Sequence, residues 1–596
     1  MRLVSWMAAN KSGHRAKCSF DKYDCRSYSF EVVWPGQGAG RRRFQEKLLT
    51  RARRSLTEGA GEVMVVTRHN RFVLAVDLGT SGCKCALAGL DGVVRKWAFR
   101  PVPLHIVDQI GAEQAPEDWW SAFIGAAREL IGMLPELGGE IAAICCSCQG
   151  ECTVPVDRTG RPLHRAMSWI DMRGAEAIRR KAGNRMLAVA GYDPVKLWRW
   201  ISRTGGAPAL SGKDPAGHMA FIKEVWPAIY DQTYKFLNAL DYMNLRLTGR
   251  FVATVDSILT SWVTDNRNAD DIHYDRKLVA QSGIAREKLP EIVRCTDVLG
   301  PLCPLAAEEL GLPRDTVVVA GAVDNSAAAI GSGAVRDGEA HLYIGTSSWM
   351  GAHVPFKKTD VFAHIASVPC AVSGRYLAVA LQSSAGSNLS FLCDKVLFHQ
   401  DELGMERPPE AYSILDRIAA SVPPGARGLL YTPWIFGERS PVDDPSLRAG
   451  LLNLSLQHSR EDIIRAFLEG VALNARWMAA PFNRFLGKPL DQVTMVGGGA
   501  TSDVWCQIFA DILGIPIRQV RAPIQANALG AALIGYVGIG ALSYDDIPGL
   551  TQIRRTYLPD SGRKALYDEI FESFKLAYRR LAPLYRRLNL RKKVHP

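Results

Sequence analysis

Two aspartates stand where an apolar run breaks into a turn of small residues. Asp77 follows Phe72-Val73-Leu74-Ala75-Val76 and opens Asp77-Leu78-Gly79-Thr80-Ser81, with Lys84 three residues further on. Phosphoryl transfer asks little covalent work of a protein; it needs donors around phosphates, a metal, and a carboxylate beside the accepting hydroxyl. This turn has the residues for the first two needs. Gly79 lets the backbone approach phosphate oxygens, Thr80 and Ser81 add N–H and O–H donors, and Lys84 adds a point charge. Asp77 is placed to hold Mg²⁺ through water, which that ion gives up reluctantly. Taken alone, the same residues also make an ordinary hairpin turn. They match neither a Walker A loop nor a dinucleotide fingerprint.

Asp324 follows Val317-Val318-Val319-Ala320-Gly321-Ala322-Val323 and precedes Asn325 and the small-residue run 326–333. The run reads as a helix starting at a strand end, and an acid at that junction fits a cap as well as a base. Gly345-Thr346-Ser347, after His341-Leu342-Tyr343-Ile344, repeats the phosphate-type turn. Gly497-Gly498-Gly499-Ala500, after Val493-Thr494-Met495-Val496, offers a face without side chains on which an adenine can lie.

The elements that must position these residues are legible from periodicity. Continuous apolar runs at 72–76 and 141–146 suit buried strands, Asp91-Gly92 suits a hairpin turn, and Trp119 to Met133 suits an amphipathic helix. Strand-to-glycine turns recur in the second half, so the chain reads as two α/β halves without a short tandem repeat. Tyr567, Phe571, Phe574 and Tyr578 recur on one face of a final helix, a stripe suited to core packing, with Arg579, Arg580, Arg586 and Arg587 favouring its C-terminal dipole end.

At 596 residues the chain needs more than one core. Its +12 charge is concentrated at the front: residues 1–70 hold fourteen Lys/Arg against six Asp/Glu. The rest is close to neutral and lacks the basic stripe of a nucleic-acid binder, so no nucleic-acid partner is expected. No apolar run reaches membrane-span length, and no secretory signal opens the chain, so neither membrane attachment nor export is expected. The thirteen cysteines then suit the reducing cytoplasm. Cys145, Cys146, Cys148 and Cys152 lack paired metal-ligand spacing, and strand alternation sends them to opposite faces; buried thiols are expected. His105, His164 and His218 have no triad-like setting. Residues 1–70 are expected to be a basic extension outside the enzyme body, either disordered or the product of a start codon placed too early.

The order of motifs resembles the FGGY carbohydrate kinases: Asp77-x-Gly-Thr-Ser-x-x-Lys84, Gly321-x-x-Asp324-Asn325, Ile344-Gly345-Thr346-Ser347, Gly437-Glu438-Arg439-Ser440-Pro441 and Gly497-Gly498-Gly499-Ala500. Supporting pieces are Glu113-Gln114-Ala115-Pro116-Glu117-Asp118-Trp119-Trp120, Trp169-x-Asp171-x-Arg173, Asp241-Tyr242 and Leu529-Gly530-Ala531-Ala532. The resemblance covers about 71–585 and implies an α/β fold of two actin-like, ribonuclease H-like lobes with ATP and sugar in the interlobe cleft. The expected divisions are 71–318 for the first lobe, 319–560 for the second, and 561–596 for a closing helix and basic tail.

By resemblance, Asp324 matches the catalytic base and Asn325 a sugar contact. Gly79, Thr80, Ser81 and Lys84 match the first phosphate motif, with Asp77 for Mg²⁺; Gly345 and Thr346 match the second, and Gly498, Gly499, Ala500 and Asp503 the adenosine site. Gln149, Glu151, Trp169 and Asp171 are the remaining expected sugar contacts. Cys148-Gln149-Gly150-Glu151 departs from the Gln-Met-His-Gly of xylulokinases and puts a carboxylate at the hydroxyl-binding position, as in glycerol kinases. Asn453 stands where the family has Gly, at a turn. The resemblance implies a small-molecule sugar or polyol substrate and a homodimer, for which no residue itself argues. D-Xylulose or a related pentulose is the expected acceptor, with a polyol such as glycerol, erythritol or a pentitol as the alternative. A non-catalytic sugar- or nucleotide-sensing protein on the same scaffold and an actin-like ATPase are the rivals from other classes; retention of Asp77 and Asp324 argues against the first, and the lack of an added domain against the second.

Overall fold

The computed structural model describes residues 72–589, apart from 109, 184–187, 403 and 405. The expected extension 1–70 and the tail beyond 589 lie outside the described residues.

The first apolar run becomes β1 (Phe72–Gly79), buried along nearly its whole length. Thr80 and Ser81 return the chain as β2 (Gly82–Gly89), antiparallel to β1, in a register that sets Asp77 opposite Lys84. β3 (Val94–Pro101) continues the meander. Helix α1 (Pro116–Met133) then crosses the sheet. Pro116 opens it, Glu117 and Asp118 favour its N-terminal dipole, and Trp119, Phe123, Ala126, Ala127 and Leu130 form its buried stripe. β4 (Ile141–Cys148) lies parallel to β1. Much later the chain adds β5 (Val298–Pro301) and β6 (Val317–Val323), with β6 parallel to β4, giving the order β5-β6-β4-β1-β2-β3.

After helix α2 (Asp324–Gly331) a second sheet repeats the plan. Its strands are β7 (Ala340–Ile344), β8 (Ser348–Val354), β9 (Thr359–Asp360), β10 (Ile365–Pro369), β11 (Tyr376–Gln382), β12 (Val493–Val496), β13 (Ile517–Val520) and β14 (Ile553–Tyr557). Their order is β9-β10-β11-β8-β7-β12-β13-β14. Within both sheets an antiparallel trio is followed by two strands parallel to its first member: β3-β2-β1-β4-β6 and β11-β8-β7-β12-β13. A glycine turn ends the leading strand of each sheet, so the two phosphate-type turns occupy equivalent places in two lobes.

The expected lobe boundary at 318/319 is corrected by the hydrogen bonding of β6. That strand pairs with β4 from Val317 to Val323 and so belongs whole to the first sheet. Its register shifts between Val319 and Ala322, at a bulge where Gly321 takes φ +76°. A Cβ at Gly321 would stand 2.0 Å from the Cys146 carbonyl oxygen. The break in pattern at Gly321 thus marks a kink inside a strand, of the kind that re-aims the residues beyond it.

Large apolar clusters fill each lobe. A further one joins the first sheet to α2, to strands β8 and β11, and to helix α5 (Ala526–Gly538), which follows helices α3 (Arg460–Leu486) and α4 (Asp503–Leu513). Helices α2 and α5 approach backbone to backbone. A Cβ on Gly331 would lie 1.9 Å from the Ala526 carbonyl oxygen, and one on Gly530 1.9 Å from that of Ala327. The last helix, α6 (Lys564–Asn589), buries Tyr567, Phe571 and Phe574 against the second lobe.

The cysteines of β4 alternate as expected. Cys146 and Cys148 enter one cluster, Cys145 the other, and burial pushes each thiol up. Asn453 takes φ +66°, a left-handed conformation that Asn tolerates, and its amide donates to the Gly428 carbonyl at 3.0 Å. Among the described residues no helix is long and apolar enough to cross a membrane.

Candidate active site

At the end of β1 the register brings Lys84 Nζ to 2.8 Å from Asp77 Oδ2, and Asp77 is only 4% exposed. Gly79 and Thr80 are half-buried and Ser81 is exposed, so the turn opens outward. The Thr80 hydroxyl is already committed. It donates to Gln149 Oε1 at 2.8 Å and accepts from the Trp169 indole at 2.9 Å. Only its backbone N–H is left as a phosphate donor, a narrower role than the sequence suggests.

Asp324 sits at the tip of β6, beside the tips of β4 and β1. It does not cap α2: that helix has no side-chain cap, and the N–H of Val323 is taken instead by Asp256 Oδ2 at 3.1 Å. Burial pushes the Asp324 carboxyl up to about 7; the negative charge of Asp77 adds to this, the Asn325 N–H opposes it, and Glu151 and Asp256 add further. The two aspartates expected to act together are thus electrostatic neighbours. Both also face the second lobe. The Tyr343 hydroxyl on β7 is pushed up by burial and then by the charges of Asp77 and Asp324. Tyr343 is itself held flat on Trp349, with ring centroids 3.8 Å apart.

One residue beyond β7, Gly345 and Thr346 form the second turn. The Gly345 and Thr346 carbonyls accept from the N–H groups of Gly386 and Ala385, at 2.8 and 2.9 Å, and Thr346 is exposed. Beyond β12, Gly497 takes a φ of +89°, and a Cβ there would meet the Ile344 carbonyl oxygen at 2.5 Å, so the position calls for glycine on both counts. Gly498 is exposed, and a Cβ there would meet nothing within 4 Å. Ala500 is buried behind it. Asp503 begins α4, and its carboxylate accepts from Arg554 at 2.7 Å and from Gln519 at 3.2 Å.

On the sugar side, Glu151 and Asn325 are half-buried near Asp324. Glu151 holds a left-handed φ of +62°, uncommon for a residue with a side chain. Burial raises its carboxyl pKa, opposed by Arg439 and then by Lys213. Gly150 leaves room: a Cβ there would find only Val323 Cγ1, at 3.9 Å. Trp169 is half-buried and tied to Thr80.

Two expected sugar contacts are placed otherwise. Asp171 is fully buried; its oxygens accept from the Ala112 N–H at 2.9 Å and the Arg173 N–H at 2.9 Å, and its carboxylate pairs with the Arg173 guanidinium at 2.6 Å. It therefore holds the scaffold and does not face the cleft. Gln149 is 3% exposed, and its amide lies inside a hydrogen-bonded ring with Thr80 and Gln114. Four neighbours of the site carry no signal of a role in the sequence: Gln114, Asp256, Lys213 and Arg439. Gln114 and Arg439 lay within recognised motifs without an assigned task. Lys213 and Asp256 are single charged residues in loops, where spacing carries no signal.

No group of three or more His, Cys, Asp or Glu side chains suited to a metal occurs among the described residues. A lone strand-end carboxylate such as Asp77 fits an ion that keeps its waters and takes phosphate oxygens, rather than one caged by protein.

The FGGY family of carbohydrate kinases matches this chain in two parts, its N-terminal domain over residues 72–331 and its C-terminal domain over 340–539. A xylulose kinase of Bacillus subtilis is 28% identical, over 85% of this chain and 97% of its own length. A gluconokinase of the same organism is 26% identical, over 83% and 93%. The crystal structure of xylulose kinase from Rhodospirillum rubrum superposes with a TM-score of 0.73 at 27% identity, covering 86% of this chain and 100% of that one. With both domains matched over most of its length, the chain belongs to the FGGY family of carbohydrate kinases, ATP-dependent phosphotransferases with an alcohol group as acceptor.

Proposed function

We propose that the acceptor is the terminal hydroxyl of an open-chain pentulose, D-xylulose or a close relative, and that Asp324 is its general base. The observation that carries the reading is the position of Asp324 at a strand tip between Asp77 and Glu151, where its pKa near 7 suits reversible proton transfer at neutral pH. The acceptor hydroxyl would give its proton to the Asp324 carboxylate as its oxygen attacks the γ-phosphorus, and ADP would leave. Glu151 and Asn325 would orient the substrate's other hydroxyls, with Trp169 as a wall. A carboxylate accepts from two neighbouring hydroxyls at once, which suits a vicinal diol. Gly79, Ser81, Lys84, Gly345 and Thr346 would hold the phosphates, and the open face at Gly498, Gly499 and Ala500 the adenine, with Asp503 supporting that wall through Arg554.

Asp77 is the residue that would hold Mg²⁺, an ion that would offset the negative charge of the phosphates. Lys84, paired with Asp77 at 2.8 Å, would add its positive charge beside the same phosphates.

The relatives' names support a pentulose and a sugar acid alike. Glu151 suits the hydroxyls of a neutral polyhydroxy substrate, while Arg439 and Lys213 beside it offer charges that a sugar acid would use. The same carboxylate motivates the second reading, a polyol kinase.

The test is ADP release from Mg-ATP with D-xylulose, D-ribulose, gluconate, glycerol, erythritol and pentitols offered in turn. Pentulose-dependent release should fall about 10²–10⁴-fold in Asp324→Asn while sugar binding persists. Preference for gluconate or a polyol would move the substrate assignment, and sugar-independent turnover unaffected by Asp324→Asn would refute the kinase reading.

A further inference from the structure

The amides of Gln114 and Gln149 and the hydroxyl of Thr80 close a ring with a fixed sense of donation. Gln114 Nε2 donates to the Thr80 carbonyl at 2.8 Å. Gln149 Nε2 donates to Gln114 Oε1 at 2.7 Å. The Thr80 hydroxyl donates to Gln149 Oε1 at 2.8 Å. The sense cannot reverse locally. Gln114 faces two carbonyls, Thr80 and Pro103, with its nitrogen, and its oxygen also accepts from the Trp119 indole at 3.2 Å. With Gln114 so oriented, turning the Gln149 amide over would set oxygen against oxygen. The Thr80 hydroxyl therefore points at Gln149 and offers a lone pair to Trp169. Gln114 is fully buried and Gln149 nearly so, and an unpaired amide in such a place is costly.

The ring spans two functions. Thr80 belongs to the phosphate turn, and Trp169 is a wall of the sugar side, with Glu151 two residues beyond Gln149. We infer that Gln114 is a positioning residue that, through Gln149 and Thr80, couples occupancy of the sugar wall to the shape of the phosphate turn, so that sugar and nucleotide each tighten the binding of the other. A sugar seated on Trp169 holds its indole, hence the Thr80 hydroxyl, hence the turn whose N–H groups meet phosphate. The inference rests on the proposed sugar kinase reading.

The test is the ratio of dissociation constants for a non-hydrolysable ATP analogue with and without saturating sugar, measured by calorimetry on the full chain, using whichever substrate of the panel above supports turnover. The wild type should show about tenfold tightening, a common size for coupling between sites. Gln114→Leu should bring the ratio close to one and raise the fraction of ATP hydrolysed without sugar. A merely structural role would lower the melting temperature and leave the ratio unchanged, which would overturn the inference.

Gln114→Glu supplies the second readout, and it alone carries the test should Gln114→Leu fail to fold. As a carboxylate it cannot donate to the Thr80 carbonyl; protonated, it can, and burial raises its pKa. Its ratio, taken relative to wild type at the same pH, should recover as pH falls from 8 towards 6. A ratio equal to wild type at every pH, or one that stays lost throughout, would count against the ring. If no member of the panel supports turnover in the wild type, the kinase reading fails first and the inference falls with it; turnover with an unchanged ratio in the variants sinks the inference alone.

Discussion

A base must shed its own proton before it can take one from a hydroxyl, and for Asp324, the proposed base, that loss is set near pH 7. The group starts from an ordinary carboxylate value of 3.8 and is raised, so it is neutral below about 7 and charged above. Activity dependent on it should rise with pH: kcat/KM falls about tenfold per unit below 7 and levels above, in a pH–rate profile at saturating Mg-ATP. A profile flat from 5.5 to 8 would exclude Asp324 as base. Asp171 calls for the opposite experiment. Buried and paired with Arg173, it should matter to stability and not to recognition; Asp171→Asn should cost about 3 kcal/mol in urea unfolding and leave the sugar KM of the folded enzyme unchanged. The two cases show what residue spacing reveals. Asp77 and Lys84 were legible as members of one turn, while their pairing comes from the hairpin register that sets them opposite each other. The role of Trp169-x-Asp171-x-Arg173 was not legible, because the same spacing serves a buried ion pair, and only the Ala112 N–H and Glu113 behind it decide which.

Strands and helices carry the site as rigid parts, and their existence was easier to read than their allegiance. The runs at 72–76 and 141–146, the stripe beginning at Trp119 and the helix opening at Asp324 all follow from local periodicity. The allegiance of β6 does not, because the first sheet claims it through pairing with β4, some 170 residues earlier in the chain. Gly321 breaks its apolar pattern for a reason equally remote, the carbonyl of Cys146. The packing of α2 on α5 is similar: Leu529-Gly530-Ala531-Ala532 was recognisable as a motif, while its cause is the Ala327 carbonyl lying where a side chain would go. Gly530→Ala should therefore destabilise by about 1–3 kcal/mol through overpacking, seen as a lowered urea midpoint. Because α2 begins at Asp324, turnover at 25 °C should fall further than the loss of folded protein explains. Unchanged stability would mean that the two helices are not in contact in solution.

At the scale of the molecule, two sheets of one plan each present a glycine turn at the end of a leading strand, and the catalytic question becomes whether those ends meet across a substrate. The two-lobed architecture was legible through the order of the motifs. The electrostatics around the site carboxylates were not: Lys213 and Arg439 act on Glu151, and Asp256 on Asp324, through proximity that no spacing encodes. Closing the lobes on ATP and sugar would exclude water from the aspartates and limit wasteful hydrolysis. The most direct measurement is a crystal structure with a non-hydrolysable ATP analogue and D-xylulose. A terminal sugar hydroxyl should lie within about 2.6–3.2 Å of an Asp324 carboxylate oxygen, with the γ-phosphate between the turns at 79–81 and 345–346. A sugar seated with every hydroxyl out of reach of Asp324, or a triphosphate bound away from both turns, would contradict the account.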